Sequence, residues 1–227
     1  MKWYKYLNDL FFPEHCALCG RPLTHGEEVL CHRCVQQLPF TGYPFDDRNP
    51  VARLLAAKTH VYRATALLFY SKNSPSRRLI HQIKYRHRPR IGERLAYFLA
   101  PVLQGHGIDA VVPVPLHPKK EKKRGYNQVE PFGRALARAL DADFRKNWIV
   151  RRRHTPSQTT KSPWERWQNV TAGFAIRKNP ARPYRHILVV DDVLTTGATL
   201  AAVMETLHRQ YPRSHISAAT MAFNYYF

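Results

Sequence analysis

An α/β fold, with a parallel sheet flanked by helices and a small cysteine-rich module at the N-terminal end, is the class this sequence predicts. Three observations predict it. Ile187-Leu188-Val189-Val190 is apolar without alternation, as a strand buried on both faces requires. Ala110-Val111-Val112-Pro113-Val114-Pro115 is a second such run, and helical composition follows each after a loop. All four cysteines fall within the first 34 residues, apart from the strands.

A length of 227 residues suits one medium domain plus a small module. With 44% hydrophobic and 12% aromatic residues the chain can bury a core, which excludes a disordered tail. No run approaches the ~18 apolar residues of a membrane span, so no integral membrane segment is expected. Met1-Lys2-Trp3-Tyr4-Lys5-Tyr6-Leu7 lacks the unbroken apolar stretch of a signal peptide, and Asp9 and Glu14 follow closely. The expected location is cytoplasmic. Lys and Arg number 36 against 16 Asp and Glu, a net +20 that draws polyanions without choosing among them. The charge is bunched at Arg86-His87-Arg88-Pro89-Arg90, at Lys119-Lys120-Glu121-Lys122-Lys123-Arg124 and at Arg151-Arg152-Arg153-His154.

Taken in order, Trp3, Tyr4, Tyr6, Leu7, Leu10, Phe11 and Phe12 recur at helical spacing. They form an apolar face expected to dock on the rest of the protein, with a membrane-surface helix as the alternative. Cys16-Ala17-Leu18-Cys19 and Cys31-His32-Arg33-Cys34 are two C-x-x-C knuckles separated by eleven residues. This spacing converges four thiolates on a tetrahedral zinc, with Gly20 and Gly26 at the tight turns. A disulfide pair would need an oxidising compartment, and dithiol redox sites seldom come as two matched pairs. All four ligands are used, so the expected zinc is structural. Residues 14–38 are too few for a core of their own, and structural zinc supplies ~10–16 kcal/mol in small peptides. Leu38–Pro50 reads as a connector, which divides the chain into an N-terminal helix with a four-cysteine zinc ribbon (1–45) and a larger domain (46–227).

Val61–Tyr70 has strand composition, and Ser76–Tyr85 is an amphipathic helix with Leu79, Ile80 and Ile83 on one face. His81 and Lys84 fall on its basic side, from which they could reach a ligand, although a solvated face is the expectation. Ile91–Leu103 is another helix, broken late by Pro101. Leu116-His117-Pro118 ends the Ala110–Pro115 strand. Val129–Leu140 is a helix, Ala198–Gln210 another, and His215–Phe223 the last strand.

In Ile187–Thr199 the strand ends in Asp191-Asp192, then hydroxyls and one glycine lead into the helix. A helix start offers N–H groups without intrahelical partners, and Thr195, Thr196 and Thr199 add donors around Gly197, so an anion fits there. Carboxylates repel a phosphate but accept from vicinal hydroxyls and suit hydrated magnesium. A 5-phosphorylated ribose carrying pyrophosphate has all these groups.

These residues resemble the phosphoribosyl pyrophosphate (PRPP) signature of type I phosphoribosyltransferases. The resemblance implies that Asp191 and Asp192 bind the ribose hydroxyls, and indirectly magnesium, and are the catalytic residues. Thr195, Thr196, Gly197, Ala198 and Thr199 would cradle the 5′-phosphate. By place, Leu116 and His117 match the pyrophosphate loop, with Lys119 and Arg124 the nearest charges. Arg124-Gly125-Tyr126-Asn127-Gln128, and Thr155-Pro156-Ser157-Gln158-Thr159 with Arg166, Asn169, Val170 and Phe174, resemble the ComF-type branch, which joins a cysteine-rich ribbon to a phosphoribosyltransferase domain. Thr160 and Lys161 depart from that pattern. The segment corresponds to a loop that closes over PRPP. Two functions follow as expectations. One is magnesium-dependent transfer of phosphoribosyl to an acceptor the sequence does not specify, in DNA uptake and natural transformation or in nucleotide-linked metabolism. The other is a PRPP-sensing, zinc-containing protein that binds single-stranded DNA, with Trp164 and Trp167 as stacking candidates. DNA-uptake proteins are the implied partners.

Overall fold

The computed structural model describes residues 14–117, 121–122, 124–151, 173–177 and 183–225. The helix expected over residues 3–12 and the lid segment with Trp164 and Trp167 lie outside the described residues, as do Lys119, Lys120 and Lys123.

The elements are α1 (His32–Gln36), α2 (Pro50–Ala56), β1 (Ala64–Phe69), α3 (Pro75–Tyr85), α4 (Pro89–Leu103), β2 (Ala110–Pro113), α5 (Glu130–Ala139), β3 (Asp143–Phe144), β4 (Ile149–Arg151), β5 (Phe174–Ile176), β6 (His186–Leu194), α6 (Ala198–Gln210) and β7 (His215–Phe223). The five-stranded sheet runs β1-β7-β6-β2-β3 with every pairing parallel. β4 and β5 form a separate antiparallel pair. Burial on both faces explains the unbroken apolar runs: Val111, Leu188, Val190, Ala219 and Met221 pack with α3, α4 and α5, while Val112, Ile187, Val189, Ile216 and Ala218 pack with α2 and α6.

Several expected boundaries shift. β6 does not end at the acidic pair but runs on through Leu194, because β7 keeps pairing with it to Phe223. Pro101 does not break α4. It sits in the last turn, where the helix has only Val102 and Leu103 still to come. The connector also closes a sheet edge. Thr41 and Phe69 N–H groups bond to Leu67 and Pro39 carbonyls, and Ala64 N–H bonds to Asp46, so residues 39–46 cover the outer edge of β1. An edge left bare would invite pairing with another chain.

The four-cysteine module shares the main core: Cys16, Leu30, Cys31, Cys34 and Leu38 are buried in the cluster that holds α3, α4 and α5. Gln82 of α3 donates to the Ala17 carbonyl at 2.6 Å, and Arg94 of α4 lies 3.8 Å from Glu28.

Candidate functional site

The sheet opens at one place. β2 pairs with β6 up to Pro113 and Val190, with a last bond from Val114 N–H to the Val190 carbonyl at 2.9 Å, and then departs. β6 goes on beside β7. From β2 the chain crosses by α5 outward to β3, and from β6 it crosses by α6 the other way to β7. Crossovers that diverge leave a crevice beyond the carboxyl ends of the two strands, where α/β sheets take their ligands. Asp191 and Asp192 stand there.

Alternation along β6 separates the two carboxylates. Asp192 shares the face of Leu188 and Val190, toward α3 and α5; Asp191 shares the face of Ile187 and Val189. Asp192 is buried, and it has partners. Gln128 Nε2 donates to Oδ2 at 2.7 Å, and Lys84 Nζ lies 3.0 Å from Oδ1. Lys84 is only 22% exposed, so it is not the solvated helix residue the periodicity of α3 predicts. Asp191 Oδ1 accepts from Asp192 N–H at 2.8 Å. Its residue surface is only partly covered, but the carboxyl lies deep among neighbouring atoms. Burial, then the Asp192 charge, pushes its pKa up to about 8, against the Asp192 N–H and the cations Lys84 and Arg151.

The Arg124–Gln128 element acts as a bracket around this pair. The Tyr126 hydroxyl donates to the Ile83 carbonyl near the end of α3. Asn127 Nδ2 donates to the Val114 carbonyl at 2.9 Å, where β2 leaves the sheet. Arg124 donates to Gln128 Oε1 at 2.9 Å, which turns the Gln128 amide toward Asp192, and its guanidinium lies 5.2 Å from the Tyr85 ring centre. Asn127 and Gln128 are buried polar residues whose hydrogen bonds are made, which is why this stretch is too polar for an ordinary turn.

After β6, Thr195 and Thr196 are exposed, Gly197 is buried, and Ala198 and Thr199 are partly covered. Gly197 caps α6 at φ +78° with no side-chain hydrogen bond to the first turn. A Cβ there would come within 2.6 Å of Leu54 Cδ2, so the left-handed backbone and the space both demand glycine. The helix start is thus open to an anion. Leu116 and His117 follow β2, with the His117 carbonyl accepting from Glu121 N–H at 3.0 Å.

In the ribbon, the four sulfur atoms lie within 4.8 Å of one another, and Cys19 Sγ is 3.7 Å from Cys31 Sγ. No pair is bonded as a disulfide. Gly20 and Gly26 take φ +75° and +83°, as the predicted turns need. Backbone N–H groups of Cys31 and Cys34 point at Cys16 and Cys31 sulfurs at 3.4 Å, which favours thiolates. Burial opposes ionisation of Cys31, but the Cys34 N–H and Arg21 outweigh it and bring its thiol to about 6. Four converging thiol donors with no open position fit structural zinc. Sequence reasoning missed Glu27, which ties the module together: it accepts from Thr24 N–H at 2.9 Å and His32 N–H at 2.8 Å and pairs with Arg21. Those N–H groups hold its carboxyl down at about 2.

Comparison with known proteins agrees with both halves. Residues 129–224 match the phosphoribosyl transferase domain, and residues 7–48 match the double zinc ribbon domain. Competence protein F of Haemophilus influenzae is 29% identical over 88% of this chain and 93% of its own. DNA utilization protein YhgH of Escherichia coli K12 is 30% identical over 86% of this chain and 78% of its own. The chain belongs to the ComF-type family. Adenine phosphoribosyltransferase from Saccharomyces cerevisiae, a solved structure, overlaps 61% of this ComF-type chain and 71% of its own at 20% identity, with a TM-score of 0.38.

The expected site residues are placed as follows. Asp191, Asp192, Thr195, Thr196, Gly197, Ala198 and Thr199 follow one another across the end of β6 and the start of α6. Arg124 reaches the acidic pair only through Gln128. Lys119 lies outside the described residues. Lys84 and Gln128 were not among the expected PRPP ligands; Gln128 was legible as an unusually polar turn residue, whereas for Lys84 a solvated face was the expectation over a ligand contact. No described helix is long and apolar enough to cross a membrane.

Proposed function

We propose that the crevice between β2 and β6 binds PRPP and that the protein works in DNA utilisation. The observation that carries this reading is an acidic pair at the sheet's opening beside a helix start whose N–H groups are uncapped and approached through a glycine. Asp191 and Asp192 accept from the ribose hydroxyls. The amides from Ala198 onward and the hydroxyls of Thr195, Thr196 and Thr199 take the 5′-phosphate. Displacing pyrophosphate from the anomeric carbon builds positive charge on the sugar and negative charge on the departing group. The acid pair stabilises the first; Leu116 and His117 amides with Arg124 and Lys119 serve the second. Magnesium, when bound with PRPP, would neutralise the pyrophosphate. Lys84 pairs with Asp192 in the absence of ligand, so binding of PRPP with magnesium would exchange one cation for another. The free thiols fit a reducing compartment, and we place the protein in the cytoplasm, with 1–45 as the ribbon domain and 46–227 as the PRPP domain.

A second reading is favoured by the net +20: a non-catalytic PRPP sensor that binds single-stranded DNA and works beside DNA-uptake proteins. Pyrophosphate release from PRPP and magnesium across a panel of acceptors separates the two. Turnover that disappears in Asp191→Asn supports the transferase. No turnover with any acceptor, together with DNA affinity that Asp191→Asn leaves alone, rejects it in favour of the sensor.

A further inference from the structure

A cleft of about 970 Å³ lies between the ribbon and α3, and among the described residues none assigned to PRPP lines it. One wall is His15, Cys16, Ala17, Leu18, Cys19 and Gly20 of the first knuckle. The other carries Lys72, Arg77, Arg78, Arg86 and Arg88, with His81 among them. No carboxylate lines it, and none of these five cations is in an ion pair among the described residues. Elsewhere on this surface, by contrast, Arg90 and Arg94 are matched by Glu14 and Glu28. Five unmatched cations in a concave wall concentrate positive potential, which is costly to the fold unless an anion is met there.

A second feature lies alongside. Tyr85, next in the chain to Arg86, is 63% exposed, and its ring lies 4.8 Å from that of His81 and 5.2 Å below the Arg124 guanidinium. A large ring that keeps most of its surface exposed, with Arg124 over it and the His81 ring tilted beside it, offers a platform for a flat π-system. A charged groove beside a stacking platform is what single strands require, since they offer both a phosphate backbone and free base faces. Double-stranded DNA offers a convex rod with its bases already stacked, and an acidic peptide has no flat face for Tyr85.

We propose that this cleft is the docking surface for single-stranded DNA, with Lys72, Arg77, Arg78, Arg86 and Arg88 on the phosphates and Tyr85 and His81 stacking on bases. The inference rests on the DNA half of the reading above and not on its PRPP half. It also assigns the ribbon a role beyond stability, as the fixed wall of the groove.

The test is fluorescence anisotropy of a labelled oligo-dT on the full, zinc-loaded chain across a salt series. Each phosphate contact on a single strand contributes ~0.7 to the salt slope, so Arg77→Gln/Arg78→Gln should lower the slope by about 1.4 and weaken binding at least tenfold at low salt. Tyr85→Ala should weaken it by roughly five- to a hundredfold with little change in slope. All three side chains are exposed, so the fold should survive, and in the Arg77→Gln/Arg78→Gln variant heat from PRPP with magnesium should match wild type. An unchanged slope and affinity in the double variant would overturn the assignment while leaving DNA binding itself in place. Duplex of equal length binding as tightly, or polyaspartate competing as well as oligo-dT, would overturn the single-strand reading. Failure of wild type to bind oligo-dT would remove the DNA half altogether, whatever PRPP does.

Discussion

Asp192 gives up hydration to sit in the core and recovers it through Lys84 and Gln128. Removing one partner of a buried ion pair typically costs ~3–5 kcal/mol, and Lys84 retains some solvent, so Lys84→Met should lower unfolding free energy by roughly 2–3 kcal/mol in a urea titration. A loss below about 0.5 kcal/mol would mean that Lys84 is solvated after all. Asp191 answers to pH in the opposite sense from most carboxylates. Its folded pKa, about 8, lies above its ordinary 3.8, so between these values the folded chain holds a proton the unfolded chain has released. Stability should therefore fall as pH rises from about 4 to about 8, and Asp191→Asn should flatten that slope and raise the melting temperature at pH 8. If ribose hydroxyls and a metal need the ionised pair, PRPP affinity should rise over the same interval. Neither Lys84 nor the Asp191 shift was legible in the sequence. Lys84 has the periodicity of a solvent-facing residue, and its partner enters only after β6 has been laid beside β2. The acidic pair was legible, because two carboxylates closing an apolar run have no packing use.

At the scale of elements, the strand–loop–helix unit from His186 to Gln210 stands on Gly197. Alanine there must take φ +78° and displace Leu54, so Gly197→Ala should cost about 1–3 kcal/mol and abolish phosphate binding even in the folded fraction. A variant that bound PRPP normally would show that the loop is not built around the anion. The three turns that this sequence spells in glycine, at Gly20 and Gly26 in the ribbon and at Gly197 before α6, were legible for the same reason: only glycine is cheap at positive φ. The end of β6 was not, because its continuation past the acidic pair is imposed by β7, and no residue of β6 itself announces it. Pro101 misled in a similar way. A proline that removes one helical hydrogen bond ends a helix only where no tertiary contact holds the next turn, and Leu103 is buried in the core.

Across the whole molecule, zinc module and sheet share one hydrophobic cluster, so the ribbon is not a separable appendage. Structural zinc contributes ~10–16 kcal/mol in small peptides, about the entire margin of a typical domain. Chelation, or Cys16→Ser, should lower the melting temperature by about ten degrees or more and expose the α3–α4 face to a hydrophobic dye. A melting curve unmoved by zinc removal would take the metal out of the fold. The parallel sheet, its helices and the four-cysteine ligand set were all readable from apolar runs and spacing. What composition alone left open was where the excess positive charge goes, because charge counts carry no position. The fold answers this by setting Arg77, Arg78, Arg86 and Arg88 along one cleft. The most direct test of the central claim is isothermal titration calorimetry of PRPP with magnesium against wild type and Asp191→Asn/Asp192→Asn. We expect saturable heat from the first and none from the second. Equal heats from both, or none from wild type, would contradict the account.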